Sequence, residues 1–141
     1  MARGRTKREA QASATLILDS GGVIALARGD QRARAFVERA LETGTELLVP
    51  AVVIAETVRG QGPRDAPVNR VLAAVDSVLA CEEETGRTAG RLLGEARSSE
   101  TIDALVVAGA IELGGGRVLT GDPDDLRLLA RGSKGVAIHR V

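Results

Sequence analysis

Four acidic residues stand inside or against apolar sequence. Asp19 ends the run "TLIL" and is followed by Ser20, Gly21 and Gly22; Glu56 lies in "VVIAETV", Asp103 in "TIDALVV", and Asp122 closes "RVLTGD". Burying an isolated carboxylate is unfavourable unless something compensates it. Four of them crowded together repel one another and take up protons, unless a cation sits among them. Hard divalent cations such as Mg²⁺ or Mn²⁺ take carboxylate oxygens, keep several waters and often bind together with phosphate groups. An all-oxygen set of this kind suits hydrolysis of a phosphodiester.

Each acid also has a local role open to it. Asp19 can satisfy backbone amides in the Ser20-Gly21-Gly22 turn, and Glu56 can face solvent on an amphipathic helix. Asp103 can favour a helix N-terminus electrostatically, and Asp122 can cap the helix that follows it. Those separate roles leave unexplained why all four map to one end of one sheet, which is where the pattern of elements puts them.

That pattern alternates strands and helices. "TLIL" (15–18) reads as a buried strand closed by a turn, and "VIALARGD" as a short helix. An amphipathic helix follows in "DQRARAFVERALETG", with Asp30 as N-cap and Gly44 as stop. "TELLV" is the second strand, and Pro50 opens the helix "PAVVIAETVRG", with proline in its tolerated place. "QGPRDAP" reads as a surface loop, "VNRVLAAVDS" as a helix and "VLACE" as the third strand. After the polar helix "ETGRTAGRLLGEARSS", Ser98 or Ser99 is placed to cap "TIDALVVAGAIELG", a helix apolar nearly all round and therefore central. "GGGRVLTGD" is a glycine turn plus the fourth strand, "PDDLRLLARG" a short helix begun by acids Asp124 and Asp125, and "GVAIHRV" the fifth strand.

Near-continuously apolar strands separated by helices indicate an α/β fold: a central parallel sheet of about five strands with helices on both faces. Ligands of such sheets bind beyond the carboxyl ends of the strands. Asp19 and Asp122 stand at the carboxyl ends of the first and fourth strands.

The 141 residues suffice for one domain with a real core. Apolar residues at 44% and charged ones at 27% are ordinary for a globular protein, and no stretch is long and apolar enough to cross a bilayer. Residues 1–13 read as a basic, flexible tail without the apolar block of a secretory signal, so the expected location is cytoplasmic. One cysteine, Cys81, excludes an internal disulfide, and one histidine, His139, leaves too few ligands for a zinc site. His139 sits in an alternating run and reads as a strand residue rather than a catalytic base. A single aromatic residue, Phe36, argues against a platform that reads bases by stacking. The glycine-rich segments lack the GxGxxG and GxxxxGK[ST] spacings that cradle nucleotide phosphates. Gly21 stands where a haloacid-dehalogenase-like phosphatase needs its second acid.

Taken in order, these fragments resemble the PIN-domain ribonucleases, including the VapC-type toxins of toxin–antitoxin pairs, from about Thr15 to Val141. "LILDS" matches the opening strand with Asp19 and Ser20, "VVIAETVRG" the helical Glu56, and "TIDALVVAGAIELG" the Asp103 that begins an alanine-rich helix. "VLTGDPDDL" matches the strand-end motif through Thr120 and Asp122, with Asp125 nearby. The resemblance implies a domain over residues 14–141 that cleaves RNA with Mg²⁺ or Mn²⁺. Asp19 and Asp103 are then the direct ligands, and Glu56 and Asp122 hold the ion, a second ion or its waters. Ser20, Thr120 and Asp125 support these by hydrogen bonding, and which of Asp122, Asp124 and Asp125 reaches the metal stays open. It further implies an RNA substrate, a small antitoxin whose basic side chain enters the acidic pocket, and a homodimer. The alternative is a PIN fold without activity that binds RNA or a protein partner.

Overall fold

The computed structural model describes residues 14–141; the basic segment 1–13 lies outside the described residues. The centre is a five-stranded, wholly parallel sheet in the order β3-β2-β1-β4-β5. Its strands are β1 (Thr15–Leu18), β2 (Glu46–Pro50), β3 (Ser77–Leu79), β4 (Gly116–Thr120) and β5 (Val136–Arg140). The helices are α1 (Ser20–Ala27), α2 (Gln31–Glu42), α3 (Ala51–Thr57), α4 (Gly62–Ala74), α5 (Glu83–Ala96), α6 (Thr101–Glu112) and α7 (Pro123–Leu129). The α/β class and the five parallel strands are as the sequence pattern indicates.

β1 is the middle strand, and its residues Leu16, Ile17 and Leu18 are fully buried. This explains why "TLIL" does not alternate: helices cover both faces, so every side chain has an apolar destination. Removing from water a leucine or isoleucine of this kind contributes about 1.5–3 kcal/mol. α6 is the central helix, with Ala104, Val106, Val107, Ala108 and Ala110 all fully buried. Small residues there let it lie close to its neighbours on more than one side.

Local stops behave as the residue types dictate. The Asp30 carboxylate accepts the Ala33 N–H at 2.8 Å and begins α2, and Gly44 takes the left-handed conformation (φ +75°) after it. Helix α6 departs from expectation, because Glu100 rather than a serine occupies its cap position. Ser98 Oγ instead accepts the Glu100 N–H at 3.1 Å, one step outside the helix.

Two other expectations are corrected. Residues 62–67, read as loop, are the first turns of α4. Pro63 falls in the tolerated first turn, and the buried Asp65 carboxylate accepts the N–H groups of Arg59 (3.1 Å) and Gln61 (2.9 Å), pinning the helix to the chain before it. The third strand is Ser77–Leu79 rather than 78–82. Its register is fixed by β2: Asp76 Oδ2 accepts the Leu47 N–H at 2.7 Å, and pairing ends where Leu79 meets Pro50, which has no N–H to give. Cys81 therefore lies beyond the sheet and is exposed.

Candidate metal centre at the carboxyl edge of the sheet

From β1 the chain builds outward through β2 to β3 on one side, and β4 and β5 lie on the other. The reversal falls between β1 and β4, the place where an open parallel sheet leaves a crevice. Asp19 follows β1 and caps α1, accepting the Gly22 N–H at 3.0 Å. Its backbone N–H continues the ladder to Leu119 O at 3.2 Å.

The two glycines after Ser20 have a steric cause. A Cβ on Gly21 would come within 2.4 Å of the Gly121 nitrogen, and one on Gly22 within 2.6 Å of Leu119 O. The start of α1 thus lies against the end of β4, with no room for a side chain between them. That contact brings Asp19 beside Thr120, whose hydroxyl hydrogen-bonds its carboxylate.

Glu56 arrives from α3, which starts directly after β2. It is exposed, and the Ser20 hydroxyl donates to its Oε1. Asp103 comes from the first turn of α6 and is part-buried. Glu100, Asp103 and Asp125 each offer a carboxylate oxygen, all within 4.8 Å of one another. Glu100 was not singled out from the sequence. The signal was there in "SETID", since acids at i and i+3 share one face at the start of a helix.

Asp122 sits at the cap position of α7, exposed and without a side-chain capping bond. Its N–H is accepted by Thr120 Oγ1 at 3.1 Å. In the "GDPDD" segment it is Asp125, in the first turn of α7, that joins Glu100 and Asp103.

The electrostatics follow from this crowding. Burial raises the Asp19 carboxyl above its ordinary range, and Glu56 adds to it. The Thr120 hydroxyl and the Gly22 and Gly21 amides only partly offset the rise. Asp103 is pushed up to about 6, first by burial and then by the charges of Asp19, Asp125, Glu100 and Glu56. No basic side chain answers them: the ion pairs among the described residues are Arg87–Glu83 and Arg91–Glu95, both within α5. A carboxylate group with unrelieved repulsion and only oxygen donors is chemically fitted to a hard divalent cation.

Residues 16–132 match the family model of the PIN domain. The chain belongs to the PIN domain family. PIN domains generally use divalent metals, in keeping with the donor set just described. A search of curated proteins finds no sequence match. Among solved structures, this PIN domain is similar to VapBC2 from Rickettsia felis bound to a DNA fragment from its promoter. That likeness has a TM-score of 0.71 at 11% identity, over 90% of this chain and 98% of that one. It is also similar to a toxin–antitoxin complex from Klebsiella pneumoniae (TM-score 0.65, 18% identity, 89% and 99% covered). A third is VapBC-5 from Mycobacterium tuberculosis (TM-score 0.57, 22% identity, 91% and 99% covered). At these identities the likeness is one of fold. Among the described residues no helix is long and apolar enough to cross a membrane.

Proposed function

We propose that this PIN domain is a divalent-metal-dependent endoribonuclease and the toxin of a toxin–antitoxin pair. The observation that carries the reading is the group of acids at the β1–β4 edge, mutually repelling and answered by no cation among the described residues. The toxin assignment draws on the similarity to toxin–antitoxin complexes.

In this reading Asp19 and Asp103 are the principal metal ligands. Glu56, Asp122 and the Glu100–Asp125 pair complete the negative surroundings. When bound, Mg²⁺ or Mn²⁺ would polarise phosphoryl oxygens and lower the pKa of a coordinated water. The chain supplies position. The Gly22 amide and Thr120 hydroxyl orient Asp19, and the Ser20 hydroxyl steers Glu56 toward the first strand. Thr120 is itself fully buried, so the Asp19 carboxylate turns little. Asp103, at about 6, is readily ionised when a cation replaces its acidic neighbours' repulsion. An antitoxin with a basic side chain would satisfy the same acids and so block the site. A homodimer in the cytoplasm completes the proposal.

The test compares wild type with Asp19→Asn and Asp103→Asn on pooled cellular RNA in Mg²⁺, Mn²⁺ or EDTA. Cleavage by wild type alone, abolished by EDTA, supports the reading. Substantial cleavage by both variants rejects the ligand assignment, and metal-independent binding without any cleavage points to a non-hydrolytic module.

A further inference from the structure

A groove of about 410 Å³ separates α2 from the β4–β5 side of the sheet. Arg32, Phe36 and Arg39 line it from α2, and Thr43 from the cap at its end. Their spacing of i, i+4, i+7 and i+11 makes them one stripe of the helix. Arg117 and His139 line it from the sheet. Leu119 lies opposite His139 in the ladder and two residues from Arg117, so both side chains share a face.

This lining is as one-sidedly positive as the carboxyl edge is negative. None of its arginines has a carboxylate partner among the described residues. The Arg117 guanidinium lies 5.7 Å over the Phe36 ring and donates through Nη2 to Thr45 Oγ1 at 3.2 Å. Its Nε, and His139 Nε2, are buried with no hydrogen-bond partner. Burial, and after it the charges of Arg117 and Arg127, hold His139 below its ordinary value. Arginine forks of this kind match phosphate oxygens. With one aromatic ring, already covered by Arg117 and His139, the groove is equipped for a backbone rather than for stacked bases.

The start of α2 lies near the acidic edge. Asp30, at the start of α2, lines a neighbouring depression together with Gly21, Arg28 and Gly121. A Cβ on Gly21 would stand 3.4 Å from Asp19 Oδ1, which places that depression beside Asp19. Arg32, in the first turn of α2, is the groove arginine nearest along the chain to Asp30, and Arg39 follows two turns on. We propose that the groove between α2 and β5 is a phosphate-binding subsite that holds the backbone of an RNA strand outside the acidic edge, with Arg32 and Arg39 as donors and Arg117 as a fixed positive wall. The choice of RNA rests on the nuclease reading above.

The experiment measures binding of a labelled single-stranded RNA by anisotropy in EDTA, so that no cleavage intervenes. It uses wild type, Arg32→Ala/Arg39→Ala, and Arg87→Ala/Arg91→Ala on α5, which removes equal charge elsewhere. The groove pair should bind roughly 10–100-fold more weakly, with the salt slope reduced by about 1 to 1.5, while the α5 pair stays within about twofold. Inorganic phosphate should compete with RNA on wild type more than chloride at equal ionic strength. Equal losses in both double variants, or none in the groove pair, overturn the proposal. So does preferential capture of an acidic peptide over RNA. A wild type that fails to cleave in Mn²⁺ yet shows the groove-dependent binding rejects the nuclease reading and leaves the subsite standing. Cleavage by wild type with groove variants that bind RNA normally does the reverse.

Discussion

Asp65 and Asp19 are both buried aspartates, 3% and 7% exposed, and their carboxyls are shifted in opposite directions. Burial favours the neutral acid in both. At Asp65 the amides of Gln61, Arg59 and Gly60 converge on the carboxylate and outweigh burial, so the group is held below its ordinary value. At Asp19 a hydroxyl and two amides do not suffice, and Glu56 pushes the same way as burial. Asp103 shows the second condition more strongly, with four acids around it and a value of about 6. Burial alone therefore does not mark a working acid. The difference lies in whether the protein's own donors complete the carboxylate or leave it short of positive charge.

The sharpest way to break this comparison is to neutralise one acid of each kind. Asp19→Asn or Asp103→Asn should reduce RNA cleavage by at least ~100-fold with the fold retained by circular dichroism, since ligand loss exceeds the effect of losing a supporting contact. Asp65→Asn should do the opposite. Its amide group cannot accept from every N–H that Asp65 now serves, so Tm should fall by about 5 °C or more while cleavage per folded molecule persists. Loss of activity in Asp65→Asn without loss of stability would erase the distinction.

A pH series sharpens it. Asp103 has its folded-state value raised from 3.8 to about 6, so the folded protein binds more protons than the unfolded chain between those pH values. Its contribution to stability is thus most favourable below about pH 4 and declines as pH rises through about 6. Asp103→Asn should therefore stabilise the metal-free protein by roughly 1–2 kcal/mol at pH 7.5, discounted for partial exposure, and by almost nothing at pH 4. Millimolar Mn²⁺ should raise the wild-type Tm at pH 7.5 more than that of the variant. Thermal melts at both pH values, with and without Mn²⁺, measure this; a variant less stable than wild type at pH 7.5 contradicts the repulsion.

The smallest expected effect separates the acids of "GDPDD". Glu100→Gln and Asp125→Asn, whose carboxylates approach Asp103, should each weaken Mn²⁺ binding by about 10-fold, and Asp122→Asn by only about threefold. Calorimetric titration of Mn²⁺ ranks them. An inverted ranking would give Asp122 the larger role.

Much of the fold was legible because it is written locally. "TLIL" carries its burial in unbroken apolar character, and Asp30 and Gly44 mark the ends of α2 by side-chain and backbone geometry that any chain would follow. The turns of α4 were not legible, since Gly62, Pro63 and Pro67 all read as breakers. The buried carboxylate of Asp65 and the packing of Val68 hold the segment helical despite them. The third strand was misplaced because its limits belong to its partner: Asp76 clamps Leu47, and Pro50 ends the ladder.

By itself, the sequence determined which elements form, in what order, and that acids stand at strand ends and helix starts, because propensity, capping and apolar runs act over a few residues. Only the tertiary structure decided that Glu100 and Asp125 approach Asp103, that Gly21 and Gly22 clear the way for β4, and that one buried aspartate is completed while another is left wanting. Those outcomes depend on distances between groups far apart in the chain, and the close packing of helices on the sheet sets them.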